Sequence, residues 1–373
     1  MKILFITPHG GFTGSEILIW QLMQELHKRG KEVAWFSRNR GGLFSQRNDV
    51  GFPAEFYPQR TSFLNSIYEG LYAKATGHTP ADSALLRYHA QFKPDLWYLN
   101  TATMPDVAAM ACRLGIPYVV HFQELTSAFD DHRAEPFLAM LEGATKLIGC
   151  SAIVRQRIEQ ISSRKTELLH SFIDHNRLQV RQSANVIRTK IGLPAEAFVW
   201  IMAGTESMRK GYDLIPDLLT HLPDNAWIAW LGKPRDTALR IYVEQRVKHE
   251  KLRYVALGEH FDDYYDYLNA ADGFVLTSRE DPHPVVMIEA AALGKPIAAF
   301  NSGGVAEFVQ PGMGGVVDSF NPADLAQLMR DIMSGTLPVS SSTSSEHAAQ
   351  FTVTARANDF CRLFSIQSKS GSQ

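Results

Sequence analysis

The residues best suited to chemistry are two carboxylates, Asp281 and Glu289, which stand eight positions apart. An apolar run, Gly273–Leu276, predicts a buried strand that ends shortly before Asp281. Pro284 suits the first position of a helix and Gly294 suits its C-terminal end, so Glu289 falls inside a short helix. Ligands of open parallel sheets bind at the carboxyl ends of the strands. The pair therefore suits a sugar nucleotide, with Asp281 near the sugar and Glu289 near the ribose diol.

A basic pair, Arg209 and Lys210, follows the apolar run Phe198–Ala203. Arginine offers a planar fork of donors and lysine a compact charge, and both suit a diphosphate. A solvated basic loop is the alternative interpretation. The position of the pair directly after a predicted strand favours the phosphate site.

Two glycine pairs also follow predicted strands, Gly10 with Gly11 and Gly303 with Gly304. Glycine lets a backbone approach a ligand closely, and the amides at a helix N-terminus attract anions. We expect the amides of Gly303, Gly304 and Val305 to receive a phosphate. For the first pair, a tight turn without a ligand stays the alternative. Its spacing also departs from the dinucleotide fingerprint, which disfavours a nicotinamide dehydrogenase.

A fourth polar group, His121 and Gln123, lies at the end of another predicted strand. Side chains two positions apart on a strand point to the same face. One of the two is therefore expected to bond a sugar hydroxyl, although a structural role for His121 is equally consistent with the pattern. The neighbouring Glu124 could be no more than a cap of the next helix.

The composition limits the class of protein. The chain has 373 residues, which predicts two domains of roughly 180 residues. Its net charge of −2 disfavours a nucleic-acid binder, and its three scattered cysteines favour a reducing compartment. The opening apolar run is too short for an export signal, and no stretch approaches the ~20 apolar residues of a membrane span. We expect a cytoplasmic protein, with peripheral contact to the cytoplasmic membrane face left open.

Strands and helices alternate along the chain, which predicts parallel sheets covered on both faces. The fold class we expect is α/β, with two doubly wound Rossmann-like domains that face a cleft. Residues 1–174 form the first domain, 175–350 the second, and 351–373 a C-terminal helix and tail that packs back on the first. The predicted strands are 2–7, 32–37, 95–100, 118–122, 146–150, one near Leu168, 198–203, 226–232, 252–257, 273–276 and 296–300. The predicted helices include 15–29, 152–161, 262–270, 322–333 and 347–364, and residues 339–345 are expected to form a loop.

In this order, the motifs resemble those of the retaining glycosyltransferases of family 4, which have the GT-B architecture. The resemblance covers almost the whole chain. The matching segments are Gly10-Gly11 with Gly14-Ser15-Glu16, Ser151 after its strand, Ser171-Phe172-Ile173-Asp174, Arg209-Lys210-Gly211, the carboxylate pair with Ala292-Leu293-Gly294-Lys295-Pro296, and Ser302-Gly303-Gly304 through Glu307.

The resemblance implies a role for each matching residue. Arg209 and Lys210 would hold the donor diphosphate, Asp281 would lie near the donor sugar, and Glu289 would bond the nucleotide ribose. Gly10 and Gly11 would let the first domain close over the phosphates. The backbone amides implied to meet sugar and phosphate oxygens are those around His283, Val285, Gly303 and Gly304.

Four features of the sequence depart from the family pattern. Asp281 replaces the usual glutamate, and Pro282-His283-Pro284 replaces Gly-Phe-Gly. Thr205 stands near the place of a frequent arginine, and the family's active-site histidine aligns more naturally with Gln123 than with His121. Both of the last two residues therefore stay candidates.

The implied activity is transfer of a sugar from a nucleotide diphosphate sugar to an acceptor hydroxyl, with retention, as in a hexosyltransferase of polysaccharide biosynthesis. The chain has no Asp-x-Asp metal motif, so we expect neither a divalent ion nor another cofactor. The acceptor could be a glycan, a small molecule or a lipid-linked compound. The mixed aromatic and basic region 57–91 suits a lipid-linked acceptor or an ordinary amphipathic helix. A sugar-nucleotide epimerase and a non-catalytic sugar-nucleotide-binding subunit are the alternatives.

Overall fold

The computed structural model describes residues 1–11, 13–39, 41–42, 51–57, 63–125, 135–234 and 237–365, without the side chains of 63–68 and 76. The chain divides into two compact units. The first comprises Met1–His170 together with Val353–Gln373, and the second comprises Ser171–Thr352. Each has its own parallel sheet and its own buried apolar core. The predicted α/β class with two Rossmann-like domains is confirmed.

The first unit is built on a seven-stranded sheet in the order β3-β2-β1-β4-β5-β6-β7, with all neighbours parallel. Its central strands are apolar runs buried on both faces, as expected for a sheet covered by helices. The strands are β1 Lys2–Thr7, β2 Glu32–Ser37, β3 Ala54–Phe56, β4 Leu96–Leu99, β5 Tyr118–Phe122, β6 Lys146–Gly149 and β7 Thr166–Leu168. The helices are α1 Gly14–Lys28, α2 Phe63–Thr76, α3 Pro80–Phe92, α4 Pro105–Arg113, α5 Glu135–Gly143 and α6 Ala152–Ser162.

The second unit has a six-stranded parallel sheet in the order β10-β9-β8-β11-β12-β13. Its strands are β8 Phe198–Ala203, β9 Ala226–Leu231, β10 Tyr254–Gly258, β11 Gly273–Leu276, β12 Ile297–Phe300 and β13 Gly314–Val317. Its helices are α7 Ala184–Lys190, α8 Ile215–Thr220, α9 Thr237–Glu250, α10 Tyr264–Ala270, α11 Val285–Ala292, α12 Val305–Phe308, α13 Pro322–Ser334 and α14 Ser341–Ala348. Single 3₁₀ turns cover His175–Arg177 and Tyr212–Leu214.

The last helix, α15 (Val353–Leu363), belongs to the first unit. Phe360 stacks on Phe5 of β1 with ring centroids 5.9 Å apart, and it lies 5.6 Å from Tyr98 of β4. Arg29, which follows α1, donates to the Asn358 side chain at 2.6 Å. The C-terminal helix is therefore part of the packing around the first sheet.

Two sequence predictions about the C-terminal region are wrong. The serine-rich run predicted as a loop forms the start of α14, where Ser340 accepts a hydrogen bond from the Thr343 amide. The predicted helix 347–364 is two helices, interrupted where Thr352 bridges to Ile173. Serine has a weak helix propensity, but small residues let α14 pack closely on α11, and Ser344 is buried.

Two strands, β3 and β13, were not predicted from the sequence. Both are short edge strands without fully buried positions, so their apolar pattern is weak. The region 57–91 contains α2 and α3, although part of it lies outside the described residues. Among the helices that the structure describes, none is long and apolar enough to cross a bilayer.

Candidate active site

Two of the predicted site residues, Lys210 and Asp281, are in direct contact. The Lys210 ammonium pairs with the Asp281 carboxylate, and the two side chains are 13% and 8% exposed. Ser278 also donates to the same carboxylate at 3.2 Å. Lys210 follows β8 and Asp281 follows β11, and these strands are neighbours in the sheet. The structure thus brings the predicted cation and the first predicted carboxylate together at the carboxyl ends of two adjacent strands.

Close backbone contact fixes the loop that carries Lys210. The Thr277 hydroxyl donates to the Lys210 carbonyl at 2.8 Å, and the Arg279 amide donates to the Arg209 carbonyl at 2.9 Å. Gly211 has a φ of +71°, and a Cβ there would lie 2.0 Å from the Thr277 carbonyl oxygen. Only glycine combines this backbone conformation with this approach. The glycine of the Arg-Lys-Gly motif therefore holds the basic loop against the loop after β11.

Arg209 is more exposed than Lys210, and its guanidinium donates to the Glu280 carbonyl at 2.9 Å. The neighbouring Arg279 forms a bidentate pair with Asp213 at 2.7 Å for both bonds. The charge of Arg279 is therefore balanced, whereas Arg209 bonds only a backbone oxygen in the contacts that the structure gives it. Arg209 and Lys210 stay the predicted diphosphate cations.

The second glycine pair lies beside Asp281. The Asp281 amide donates to the Ser302 carbonyl at 2.7 Å, and a parallel bridge links Asp281 with Gly303. The Gly304 amide donates to the carbonyls of Pro282 and Asp281 at 3.0 and 3.2 Å. The Gly304 amide is therefore already bonded within the protein, because the loop after β12 folds onto the loop after β11, and its predicted contact with a phosphate stays a prediction. The amides of Gly303 and Val305 stay candidates for a phosphate.

His283 is buried, and its ring packs against aromatic side chains. Its ring centroid lies 5.8 Å from that of Phe351 and 6.3 Å from that of Phe308. The imidazole thus lies in an aromatic environment. A ligand would meet the backbone here, as it would at Val285, which begins α11.

Glu289 lies in α11 and accepts two tyrosine hydrogen bonds. Tyr264 donates to Oε2 at 2.9 Å, and Tyr265 donates to Oε1 at 3.0 Å. Burial raises the pKa of Glu289 to about 7, although the two tyrosine bonds oppose that shift. A carboxylate offers about four acceptor sites, so two remain for other donors. Glu289 can therefore still receive the hydroxyls of a pentose.

The raised pKa of Glu289 predicts a pH-dependent stability. The folded chain holds this proton more tightly than the unfolded chain, so between about pH 4.5 and pH 7 the folded state binds more protons and stability falls as pH rises. The difference between the melting temperatures of Glu289→Gln and the wild type should therefore shift in favour of the variant as the pH rises over this range. A pKa shift of this size changes the free energy of unfolding by at most about 3 kcal/mol. Because Glu289 is partly exposed, we expect a smaller change in the free energy of unfolding. Melting curves from pH 5 to pH 8 measure it.

The matched control is Glu259→Gln, at an exposed glutamate that precedes α10 in the same unit. Its difference from the wild type should not vary over the same range. A constant difference for Glu289→Gln as well would contradict the burial of this carboxylate.

In the first unit, groups of the loop with Gly10 and Gly11 already form hydrogen bonds within the protein. The Gly10 amide donates to the Asn39 carbonyl at 3.1 Å. The buried Glu16 carboxylate accepts from the Thr13 amide and hydroxyl at 3.1 and 2.7 Å, and a Cβ on Gly11 would lie 2.8 Å from it. The N-terminus of α1 therefore carries its own anion. The predicted contact of the two glycines with phosphates stays a prediction.

His121 and Gln123 lie together on one face, as predicted. Gln123 Nε2 is 3.1 Å from His121 Nδ1, and the Tyr98 hydroxyl is 2.8 Å from the same ring nitrogen. Burial lowers the pKa of His121 to about 3, against the opposing effect of a bond with the Leu169 backbone. The ring is therefore neutral at pH 7 and buried, whereas Gln123 is partly exposed. Gln123 is the better placed of the two to bond a ligand.

Glu124 binds backbone and side-chain groups of the loop after β4. It accepts from the Thr101 hydroxyl and from the amides of Ala102 and Gln123, at 3.1 and 2.9 Å for the amides. Burial raises its pKa, and these bonds oppose the shift. Glu124 thus joins the ends of β4 and β5 and so positions Gln123.

Sequence reasoning missed Ser278, Tyr264, Tyr265 and Tyr98. The two adjacent tyrosines lie inside a correctly predicted helix, but their bonds to Glu289 cross from one helix to another. One signal was present in the sequence: Ser278 lies three residues before Asp281 at the end of a strand, a spacing that could have indicated the hydrogen bond between them. The other contacts depend on tertiary packing.

Two family models match the chain and between them leave only short segments unmatched. The model described as Glycosyltransferase Family 4 matches residues 12–177. The model described as Glycosyl transferases group 1 matches residues 183–353. The matched regions correspond to the two parallel-sheet units.

Curated relatives are similar over parts of their length. The D-inositol 3-phosphate glycosyltransferase of Streptomyces bingchenggensis is 26% identical over 206 residues, which cover 49% of this chain and 44% of that protein. The lipopolysaccharide core biosynthesis glycosyltransferase LpsE of Rhizobium meliloti is 28% identical over 140 residues, which cover 37% of this chain and 40% of that protein. The chain therefore spans less than half the length of these two relatives.

Solved structures resemble the chain over nearly its full length. Anabaena HepE, in complex with UDP-glucose, superposes with a TM-score of 0.81 at 21% identity and covers 98% of this chain and 100% of its own. Sucrose-phosphate synthase from Thermosynechococcus elongatus superposes with a TM-score of 0.76 at 20% identity, and 98% of each chain is covered. At these identities the likeness shows the fold alone. Because glycosyltransferase family models match both of its halves and its fold is GT-B, the chain belongs to glycosyltransferase family 4.

Proposed function

We propose that the protein transfers a glycosyl group from a nucleoside diphosphate sugar to an acceptor hydroxyl. The observation that carries this proposal is the partly buried Lys210 ammonium at the carboxyl ends of β8 and β11, where it pairs with Asp281, whose carboxylate also accepts from Ser278. An ammonium has three donors, so Lys210 can keep Asp281 and still bond phosphate oxygens. Glu289, on the helix after β11, supplies the acceptor for a ribose.

In the proposed reaction, the bond from the anomeric carbon to the β-phosphate oxygen breaks, and a bond to the acceptor oxygen forms on the same face. The anomeric configuration is retained, and the acceptor proton passes to the departing phosphate oxygen. Negative charge grows on the diphosphate as it leaves. Lys210 and Arg209 stabilise that charge from fixed positions, which is the usual source of a large rate effect.

The donor we propose is a uridine diphosphate sugar, since Anabaena HepE was solved with UDP and with UDP-glucose. The acceptor class we propose is a glycan or a lipid-linked saccharide of polysaccharide biosynthesis. Relatives named for lipopolysaccharide core and teichuronic acid biosynthesis support this class. The proposal includes a metal-independent hexosyl transfer in the cytoplasm, with peripheral membrane contact as a further prediction.

Ligand binding followed by a transfer assay tests the function. A nucleoside diphosphate at 100 times its Kd should stabilise the fold by about 2.7 kcal/mol, which raises the melting temperature by several degrees. UDP, ADP and GDP with their sugar conjugates form the panel. The nucleotide sugar that binds is then incubated with saccharide and lipid-linked acceptors, with and without EDTA. NMR of the product reports the anomeric configuration.

Each alternative gives a different result in this assay. Conversion of the sugar nucleotide to its epimer without any acceptor would identify an epimerase. Binding of the donor without transfer to any acceptor would identify a non-catalytic subunit. Inversion at the anomeric carbon, or loss of turnover in EDTA, would contradict the proposed mechanism, but the protein would still be a glycosyltransferase.

A further inference from the structure

We propose that Tyr264 and Tyr265 hold the Glu289 carboxylate so that it selects a ribose diphosphate over its 2′-deoxy counterpart. The inference rests on the proposed function, in which Glu289 faces the donor pentose. The tyrosines begin α10, which connects β10 to β11, and Glu289 lies in α11, which connects β11 to β12. Contact between the two helices thus determines the orientation of one carboxylate.

The two hydrogen bonds divide the carboxylate evenly. Tyr264 takes one acceptor site on Oε2 at 2.9 Å, and Tyr265 takes one on Oε1 at 3.0 Å. One acceptor site therefore remains on each oxygen. The 2′- and 3′-hydroxyls of a ribose are neighbouring donors that match such a pair of oxygens. A carboxylate held by only one tyrosine could rotate and present its oxygens differently.

The tyrosines are suited to act as permanent donors. Burial raises the pKa of Tyr264 well above its ordinary value, and the nearby Glu289 charge raises it further. The pKa of Tyr265 is raised by the same two causes. Both hydroxyls therefore keep their protons near neutral pH, and each has one hydrogen to donate. The direction of the two bonds cannot reverse while Glu289 is ionised.

A deoxyribose leaves one of these partly buried acceptor sites without a donor. An unsatisfied buried acceptor typically weakens binding by about 10- to 100-fold. The tyrosines determine the size of this loss of affinity, because a carboxylate that is free to turn can present its remaining oxygen to the single hydroxyl. They are positioning residues, and the ratio of the two affinities is the quantity they should control.

Calorimetry with three matched pairs, UDP with dUDP, ADP with dADP and GDP with dGDP, measures this ratio on the full chain. The wild type should bind the ribose form of its preferred nucleotide about 10- to 100-fold more tightly. Tyr264→Phe and Tyr265→Phe should each lower the ratio, and the double variant should bring it to about 3-fold or less. Tyr254→Phe is the control, because it removes a partly buried hydroxyl that bonds Tyr212 at 3.0 Å and should leave the ratio unchanged.

The results separate this inference from the proposed function. A wild type that binds ribose and deoxyribose forms equally overturns the inference and leaves the function standing, whereas binding to none of the six nucleotides overturns both. Phenylalanine variants that weaken both forms equally show a purely structural role. If the double variant does not fold, Glu289→Gln provides the same measurement, since an amide has only one acceptor oxygen. An unchanged ratio in Glu289→Gln would also overturn the inference.

Discussion

Replacing Lys210 with alanine should lower kcat by about 30- to 1000-fold, which corresponds to about 2–4 kcal/mol of transition-state stabilisation. The physical reason is the loss of a fixed cation where the diphosphate gains charge. The variant also leaves the Asp281 carboxylate, only 8% exposed, without its partner. That uncompensated anion should repel the donor, so KM should rise as well. Steady-state kinetics with the preferred nucleotide sugar measures both effects.

Two comparisons isolate the charge of Lys210. Lys248→Ala removes an exposed lysine of α9 and should leave kcat and KM unchanged. The double variant Lys210→Ala with Asp281→Ala should recover part of the donor affinity, because the unpaired anion is gone, but it should not recover kcat. Near-normal turnover in Lys210→Ala would remove Lys210 from the diphosphate site and would contradict the proposed mechanism.

Gly211→Ala is the second change with a large expected effect. The new Cβ would lie 2.0 Å from the Thr277 carbonyl oxygen, at a φ of +71° that L-residues rarely adopt. The loop with Arg209 and Lys210 must then move away from the loop after β11. We expect a loss of about 2–4 kcal/mol in stability and a fall in kcat comparable to that of Lys210→Ala. Melting curves and kinetics on the same preparation measure both.

Gly192→Ala is a control that separates backbone strain from the collision. Gly192 has a φ of +72°, nearly the value at Gly211, but a Cβ there meets no atom within 4 Å. Its alanine variant should therefore lose only about 1–2 kcal/mol and keep normal kinetics. If the two alanine variants behaved alike, the contact between Gly211 and Thr277 would not be what holds the basic loop in place.

The sequence alone determined the fold class and most strand positions. Strands such as β1 and β8 are apolar on both faces, and this continuous pattern is the signature of a buried parallel strand. It also indicated that Lys210, Asp281 and Gly303 lie at the same edge of a sheet, because each follows a predicted strand and the carboxyl ends of parallel strands share one edge. Short edge strands and the serine-rich start of α14 were missed because packing, not local preference, stabilises them.

Only the tertiary structure decided which groups around the site are already bonded. The sequence left open whether His121 is structural and assigned the Gly304 amide to a phosphate, yet the ring lies buried against Tyr98 and the amide already donates to the carbonyls of Pro282 and Asp281. It also gave no sign that two tyrosines hold Glu289. Hydrogen bonds between loops and between helices depend on distances that periodicity does not encode. The pattern of residue types therefore predicted which residues gather at the strand ends, and the packing determined which of their atoms are already bonded within the protein.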